Sequence, residues 1–234
     1  MFSFSGIFQK YGSDALLLLT LDEKGIASAL ILAVLILYFG GSERLFFLFL
    51  LILFLVLSTI ATNTGKKKKR EEGLYEKSRG WKNVVANGLV PLFIVVLFYL
   101  AQKPFEEILV FGYIASIAAI TADKFASEIG VLDGTPIMLL TLKRIKKGAS
   151  GGVTPLGLAA SFVAALLIAL TSFTISLNII AFLIVLFSGY MGNIIDSLLG
   201  YYEEKGFGNK FTTNLACALS GFVISFILLA LAGI

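Results

Sequence analysis

Six uncharged stretches dominate the chain: residues 25–42, 45–65, 83–102, 108–122, 148–195 and 211–234. A helix needs about 20 mostly apolar residues, within a range of about 17–25, to cross the hydrocarbon of a bilayer. Backbone N–H and C=O groups at that depth are satisfied only within helices or closed barrels. The first stretch is just long enough, and the fifth is long enough for two spans. The fourth reaches span length only by drawing in polar residues at its end. The reading is an all-α polytopic integral membrane protein with seven transmembrane helices, at about 25–40, 44–63, 87–102, 108–127, 155–172, 177–199 and 212–233. Residues 24–234 form one transmembrane domain. Residues 1–23 form an N-terminal surface segment, because "DALLLLTL" (14–21) is too short to span. No cleavable signal is expected, since Met1 is followed by mixed polar sequence.

Basic residues orient the chain. With the N-terminus cytoplasmic, the inner segments are 1–24, 64–86, 123–154 and 200–211, and of the 19 Lys and Arg only Arg44 and Lys103 fall outside them. The preference for Lys and Arg on the cytoplasmic side therefore selects this topology. The tract "KKKKREE" (66–72) reads as a solvated topology signal, with lipid-headgroup binding as its other reading. Cys217 is the one cysteine, so no disulfide forms within the chain, and with no histidine a histidine base or ligand is excluded.

Against this background a few polar residues stand out. "IAAITADKFASEIG" (117–130) ends an apolar span with Asp123, Lys124 and Glu128. Charges at membrane depth are costly and mark function by default. Lys124 and Glu128 are spaced to pair along one helix face, which leaves Asp123 on another side. "GYMGNIIDSLLG" (189–200) puts Asn193 and Asp196 on one face near the same end, with Gly189, Gly192 and Gly200 allowing a neighbouring helix to approach. Asp123, Glu128 and Asp196 are read as carboxylates converging on Mg²⁺, a cation that takes oxygen ligands and keeps waters or phosphate oxygens. "LKRIKKGASGGVTPLG" (142–157) sets Lys143, Arg144, Lys146 and Lys147 before a glycine-rich stretch. That stretch ends with Thr154 as N-cap and Pro155 as the first helical residue. Such a helix start favours an anion, although the spacing is not that of a P-loop. "SRGWKNVVANGLVP" (78–91) offers Arg79, Lys82, Asn83 and Asn87, donors suited to phosphate oxygens, while Trp81 reads as an interfacial anchor. Asn214 reads as an N-cap or a buried interhelical hydrogen bond. Residues 131–142 fit either a re-entrant segment or a surface helix.

The motifs "VVANG", "TADKFASEIGVL", "GASGGVTPLG" and "GNIIDSLLG", in this order, resemble those of the integral membrane family typified by human transmembrane protein nineteen. That family includes the phytyl-phosphate kinase of plant vitamin E synthesis. The resemblance runs from about residue 24 to the C-terminus. It is also distantly similar, by analogy, to the CTP-using dolichol kinases. The resemblance implies transfer of a phosphoryl group from a nucleoside triphosphate, CTP or ATP, to a prenyl monophosphate of phytyl or geranylgeranyl type. The family's acidic motif falls on Asp123, Ser127 and Glu128. Its glycine motif falls on Gly148, Ser150, Gly151, Gly152 and Thr154, and its late motif on Asn193, Asp196 and Ser197. Lys124 stands where the family usually has a small hydroxyl residue, and Asn83 where it has glutamine.

The combined expectation is a membrane-embedded, Mg²⁺-dependent prenyl-phosphate kinase with its site at the cytoplasmic face. Asp123, Glu128 and Asp196 hold the metal. Lys146, Lys147, Gly148, Ser150, Gly151, Gly152, Thr154 and Asn193 hold nucleotide phosphates, and Arg79, Lys82, Asn83 and Asn87 hold the acceptor phosphate. Membrane lipids surround the chain, no nucleic-acid partner is expected, and a homo-oligomer is compatible with the sequence. The competing reading is a transporter or channel for an ion or small anion, since intramembrane charges and glycine breaks also line ion paths.

Overall fold

The computed structural model describes residues 20–76, 78–101 and 105–234. Residues 1–19, including most of the expected surface segment, lie outside the described residues, as does Lys103. Among the described residues eight α-helices follow in order: α1 (Glu23–Phe39), α2 (Arg44–Asn63), α3 (Lys66–Glu71), α4 (Trp81–Leu100), α5 (Phe105–Gly130), α6 (Pro155–Ala169), α7 (Ile179–Glu204) and α8 (Lys210–Ala232). Among the described residues six helical segments are long and apolar enough to cross a membrane: α2, α4, α5, α6 with its 3₁₀ extension to Thr174, α7 and α8. The seventh expected span, α1, has 17 residues, at the lower end of the range. The protein is an all-α polytopic integral membrane protein.

Two boundaries differ from the sequence reading for a clear reason. Helix α4 begins at Trp81 rather than near 87, and α7 continues to Glu204 rather than stopping near 199. In both cases polar residues extend a helix beyond its apolar span, where hydropathy loses it but backbone hydrogen bonding does not. Residues 131–142 form neither a re-entrant nor a surface helix. They turn into β1 (Ile137–Met138), which pairs antiparallel with β2 (Gly152–Val153) in the register Ile137–Val153 and Met138–Gly152.

Helix α5 is the axis of the bundle. It is buried along nearly its whole length and packs against α2, α4, α6, α7 and α8. Its small residues let the partners approach. A Cβ at Gly192 of α7 would lie 2.5 Å from the Ala119 Cβ and 2.9 Å from the Cys217 carbonyl oxygen, and one at Gly221 of α8 would lie 2.7 Å from the Ala115 carbonyl oxygen. This is the small-residue packing by which membrane helices gain contact where lipid is as apolar as they are. Toward the other end Tyr113 donates to the Phe47 carbonyl at 2.8 Å, and Phe47 lies edge-on to Phe98. Outward-facing side chains are apolar, including Leu30 and Val34 on α1, Phe93 on α4, Phe187 on α7 and Ile227 on α8, as a lipid-facing surface requires.

Polar groups collect at one end, which we call the basic end. The segment before α1 pins the segment before α4 there: Arg79 N–H donates to Thr20 O at 2.9 Å, and Asp22 N–H to Arg79 O at 3.1 Å. Gly25 permits this contact, since a Cβ there would lie 2.7 Å from the Arg79 carbonyl. Gly65, in the left-handed region at φ 64°, reverses the chain so that α3 folds beneath the end of α2.

Gly192→Val is expected to lower stability by about 1–3 kcal/mol through overpacking against α5 and α8, read as a lower Tm in detergent. If the basic end is cytoplasmic, Ser42→Cys and Thr171→Cys, in a background with Cys217 replaced by Ala, label with an impermeant thiol reagent from outside intact cells. Lys68→Cys and Lys146→Cys then stay unlabelled, and outside labelling of Lys146→Cys would reverse the topology.

Candidate functional site

The α5–α7 seam brings two carboxylates together. Gly189 and Gly192 pack on Ala118 and Ala119, so one turn further on Asp196 and Asp123 come to line the same cavity. Both are buried, at 8% exposure for Asp123 and 4% for Asp196. Helix α8 places Lys210 beside them, 3.8 Å from Asp196 Oδ2. Lys210, Asn214 and Cys217 share one face of α8. Asn209, with Thr212, caps that helix, so Asn214 is a buried residue one turn inside it rather than the cap.

A cavity of about 310 Å³ opens on this pair. Its lining includes Asp123, Lys124, Ser127 and Glu128 of α5, Lys147 and the Gly148–Thr154 stretch, Asn193, Asp196 and Ser197 of α7, and Lys210. The three motifs of α5, the glycine-rich loop and α7 thus meet in one place. Lys146 is not part of that lining; its side chain is exposed, and Lys147 beside it faces the cavity and pairs with Glu72 at 3.1 Å.

The oxygen atoms around the carboxylate pair suit a hard divalent cation. Asp196 Oδ1, the Asn193 side-chain amide and Asn214 Oδ1 are all buried without a hydrogen-bond partner in the protein. Orphaned buried polar atoms are costly and call for a ligand. Mg²⁺ needs only one or two carboxylates, completing its octahedron with water and phosphate oxygens. Asp123, Asp196 and Asn193 therefore fit Mg²⁺.

Glu128 does not fit as a ligand. Its Oε2 accepts from Lys69 Nζ at 2.9 Å, and its Oε1 accepts from Lys124 Nζ at 2.9 Å, Arg79 Nη2 at 3.4 Å and the Thr62 hydroxyl at 3.0 Å. Both oxygens are engaged, and among the described residues no three Asp, Glu, Cys or His side chains form a metal-binding group. Glu128 is the hub of a buried ion cluster. Lys69, only 1% exposed, also donates to the Ala61 and Thr62 carbonyls at 3.2 and 2.6 Å. It thereby satisfies carbonyls in the last turn of α2, where the helix dipole favours a cation. The Arg79 guanidinium donates to Thr62 Oγ1 as well. Burial pushes Arg79 down from its ordinary value while the Glu128 and Glu76 charges push it up, and a guanidinium remains charged throughout.

The glycine-rich loop is held by packing as much as by any anion. Gly151, at φ 75°, lies against Gly200, and a Cβ on it would come within 2.7 Å of the Ser197 carbonyl oxygen. The Ser150 N–H donates to Glu204 Oε1 at 2.7 Å. Thr154 does cap α6, accepting from the Gly157 N–H at 3.1 Å. Asp133 takes the Leu156 N–H at 3.2 Å, and the Gly134 and Leu156 N–H groups hold its carboxyl below the usual range. The first turn of α6 is thus partly satisfied from within.

The expected acceptor residues lie elsewhere. Arg79, Asn83 and Asn87 line a separate, largely apolar groove of about 300 Å³ between α1, α2 and α4. Asn87 donates to the Asn83 carbonyl at 2.8 Å. Lys82 is exposed and lies over the Trp81 ring, 5.9 Å from its centre. Sequence reasoning missed Lys69, Thr62 and Lys210. The signal for Lys210 was its shared face with Asn214 and Cys217. Nothing separated Lys69 from its three lysine neighbours.

Glu128→Gln is expected to lower stability by about 3–5 kcal/mol, because it leaves buried cations unpaired. Asp196→Asn removes a like charge from the pair and is expected to leave the metal-free Tm unchanged or higher. Mg²⁺ is expected to raise the wild-type Tm, and Asp196→Asn to abolish that rise. Thermal unfolding in detergent with and without Mg²⁺ reads all three.

Comparison with known proteins gives the chain several relatives. The model of an integral membrane protein family, DUF92, matches residues 12–230. An uncharacterised membrane protein of Methanocaldococcus jannaschii is 38% identical over 151 residues, which is 64% of this chain and 62% of that protein. Protein PGR of Arabidopsis thaliana is 29% identical over 147 residues, 53% of this chain and 51% of its own length. An uncharacterised membrane protein of Synechocystis is 30% identical over 135 residues, 55% of this chain and 52% of that protein. The matches thus span between about half and three fifths of these curated relatives. No solved structure matches.

Proposed function

The chain belongs to the DUF92 family of integral membrane proteins, and we propose that it is a phosphotransferase acting on a lipid phosphate at the cytoplasmic face of the membrane. The reaction proposed is transfer of the terminal phosphoryl group of a nucleoside triphosphate, ATP or CTP, to a prenyl monophosphate of phytyl or geranylgeranyl type. The observation that carries this reading is the single cavity in which the Asp123–Asp196 pair faces Lys124, Lys147, Lys210 and the glycine-rich loop. Acidic oxygens for a divalent cation and cations for phosphate line the same cavity. Phosphoryl transfer asks for little else, being mainly positioning and neutralisation of charge.

In this reading Asp123, Asp196 and Asn193 would hold Mg²⁺, which when bound neutralises the phosphate oxygens of the nucleotide. Lys124, Lys147 and Lys210, which line the same cavity, meet those phosphates. The nucleophile is an oxygen of the acceptor monophosphate, already ionised at neutral pH. It bonds to the terminal phosphorus as the bridging P–O bond breaks, and the nucleoside diphosphate leaves with those electrons. No protein base takes a proton, which suits a site without histidine. Glu128 has a supporting part: it fixes the Lys124 ammonium at the cavity wall. Lipids supply both the surroundings and the acceptor.

Purified chain with Mg²⁺, a nucleoside triphosphate and a C20 prenyl monophosphate is expected to yield the prenyl diphosphate, identified by mass. The free alcohol is expected to be a poor acceptor, because the site offers cations for a phosphate and no base for a hydroxyl. Asp123→Asn is expected to lower kcat by about a hundredfold or more with little change in Tm. No diphosphate from any of ATP, CTP, GTP or UTP, with folded protein, would overturn the kinase reading in favour of transport.

A further inference from the structure

Three cations converge on one carboxylate at the end of α5. Lys69, Arg79 and Lys124 all lie within 3.4 Å of Glu128, which is the sole carboxylate paired with them among the described residues. Two positive charges are left unmatched at this contact. Glu76, another carboxylate that Arg79 faces, is exposed to solvent, and Asp123 is shared with Lys210 and Asp196. Buried charge of one sign is strongly unfavourable without a counter-ion. A phosphate monoester dianion carries the two negative charges that are wanting.

Behind the cluster lies the apolar groove between α1, α2 and α4. Arg79 lines it at one end, with Asn83 and Asn87, and Leu30, Ala33, Leu48 and Ile52 line its length. Leu30 and Ile52 are 62% and 50% exposed, so the groove opens sideways onto the hydrocarbon around the bundle. Arg79 is 3% exposed, and its Nε has no hydrogen-bond partner. Groove and cavity meet at an ion pair, since Arg79 lines the first, Glu128 lines the second, and they lie 3.4 Å apart. The polarity of the groove, charged at the basic end and apolar along the membrane normal, is that of one lipid of the basic-end leaflet.

We propose that the groove seats a long-chain phosphate monoester, with its tail along α1 and α2 and its phosphate drawn to Arg79, the member of the ion cluster that lines the groove. The inference rests on the phosphoryl-transfer reading, for which it supplies the acceptor's place. It moves the acceptor tail to α1 and α2, on the opposite side of the ion cluster from the Asp123–Asp196 pair.

The test is photolabelling of the full chain in detergent, without nucleotide, by a C16 alkyl monophosphate carrying a diazirine in its tail. Label is expected on peptides of α1 and α2. Ala33→Trp, or the milder Ala29→Phe if the first variant misfolds, fills the groove and is expected to cut labelling about tenfold or more. Stabilisation of the same variants by Mg²⁺ and nucleotide is expected to remain. Label concentrated on α6, α7 or α8 overturns the seat, even if transfer to lipid occurs. Equal labelling by the matching alcohol, or its loss on adding phosphatidylglycerol, also overturns it by showing generic lipid occupancy. Groove labelling that depends on the phosphate, with no transfer in the coupled assay, upholds the seat and overturns the kinase reading.

Discussion

The basic end of this protein is organised by the cost of keeping charge out of water. Glu128 sits where a helix leaves the apolar part of the bundle, and an isolated carboxylate there is untenable. Its partners come from three separate stretches: Lys69 from α3, Arg79 from the segment before α4, and Lys124 from α5 itself. Thr62 adds a hydroxyl from the end of α2. One carboxylate therefore ties together most of the first half of the chain. The same contact fixes a wall of the polar cavity and closes the end of the apolar groove. Loss of any one partner disturbs both.

A different force assembles the other half of the site. Asp123 and Asp196 repel each other, and beyond the shared Lys210 nothing electrostatic draws them together. Packing does: Gly189, Gly192 and Gly221 let α5, α7 and α8 approach until the two carboxylates have no other place to point. Small-residue contact here supplies the free energy that holds like charges close, the general means by which a site is strained toward a ligand. The orphaned atoms of Asn193, Asn214 and Asp196 mark where that strain is left for something else to relieve.

Much of this was legible in the sequence. The spans were, because a bilayer imposes length and apolarity on each helix. The meeting of Asp123 with Asp196 and Asn193 was, because helical depth can be counted from the start of a span. What escaped depended on rotation and reversal. The turn at Gly65 decides which of four equivalent lysines is buried, and only the folded chain shows it to be Lys69. Asn83 and Asn87 were assigned to the phosphate site by their polarity. The fit of Gly88 against Leu32, where a Cβ would clash, turns that face of α4 toward α1, into the groove rather than the Asp123–Asp196 cavity. Gly151 was read as room for a phosphate, but its nearest neighbours are the Ser197 carbonyl and the Tyr201 amide of α7. A glycine in a loop looks the same whether a ligand or a helix comes close.

Pro91 lies inside α4, one turn beyond Asn87. Proline has no N–H, so the Asn87 carbonyl lacks its usual intrahelical donor and the ring weakens the turn around it. This defect lies in one wall of the apolar groove. Bending α4 at this point has one backbone hydrogen bond fewer to strain. The helix thus has a compliant joint beside the place where a bulky chain would have to enter, with regular, stiffer turns on either side.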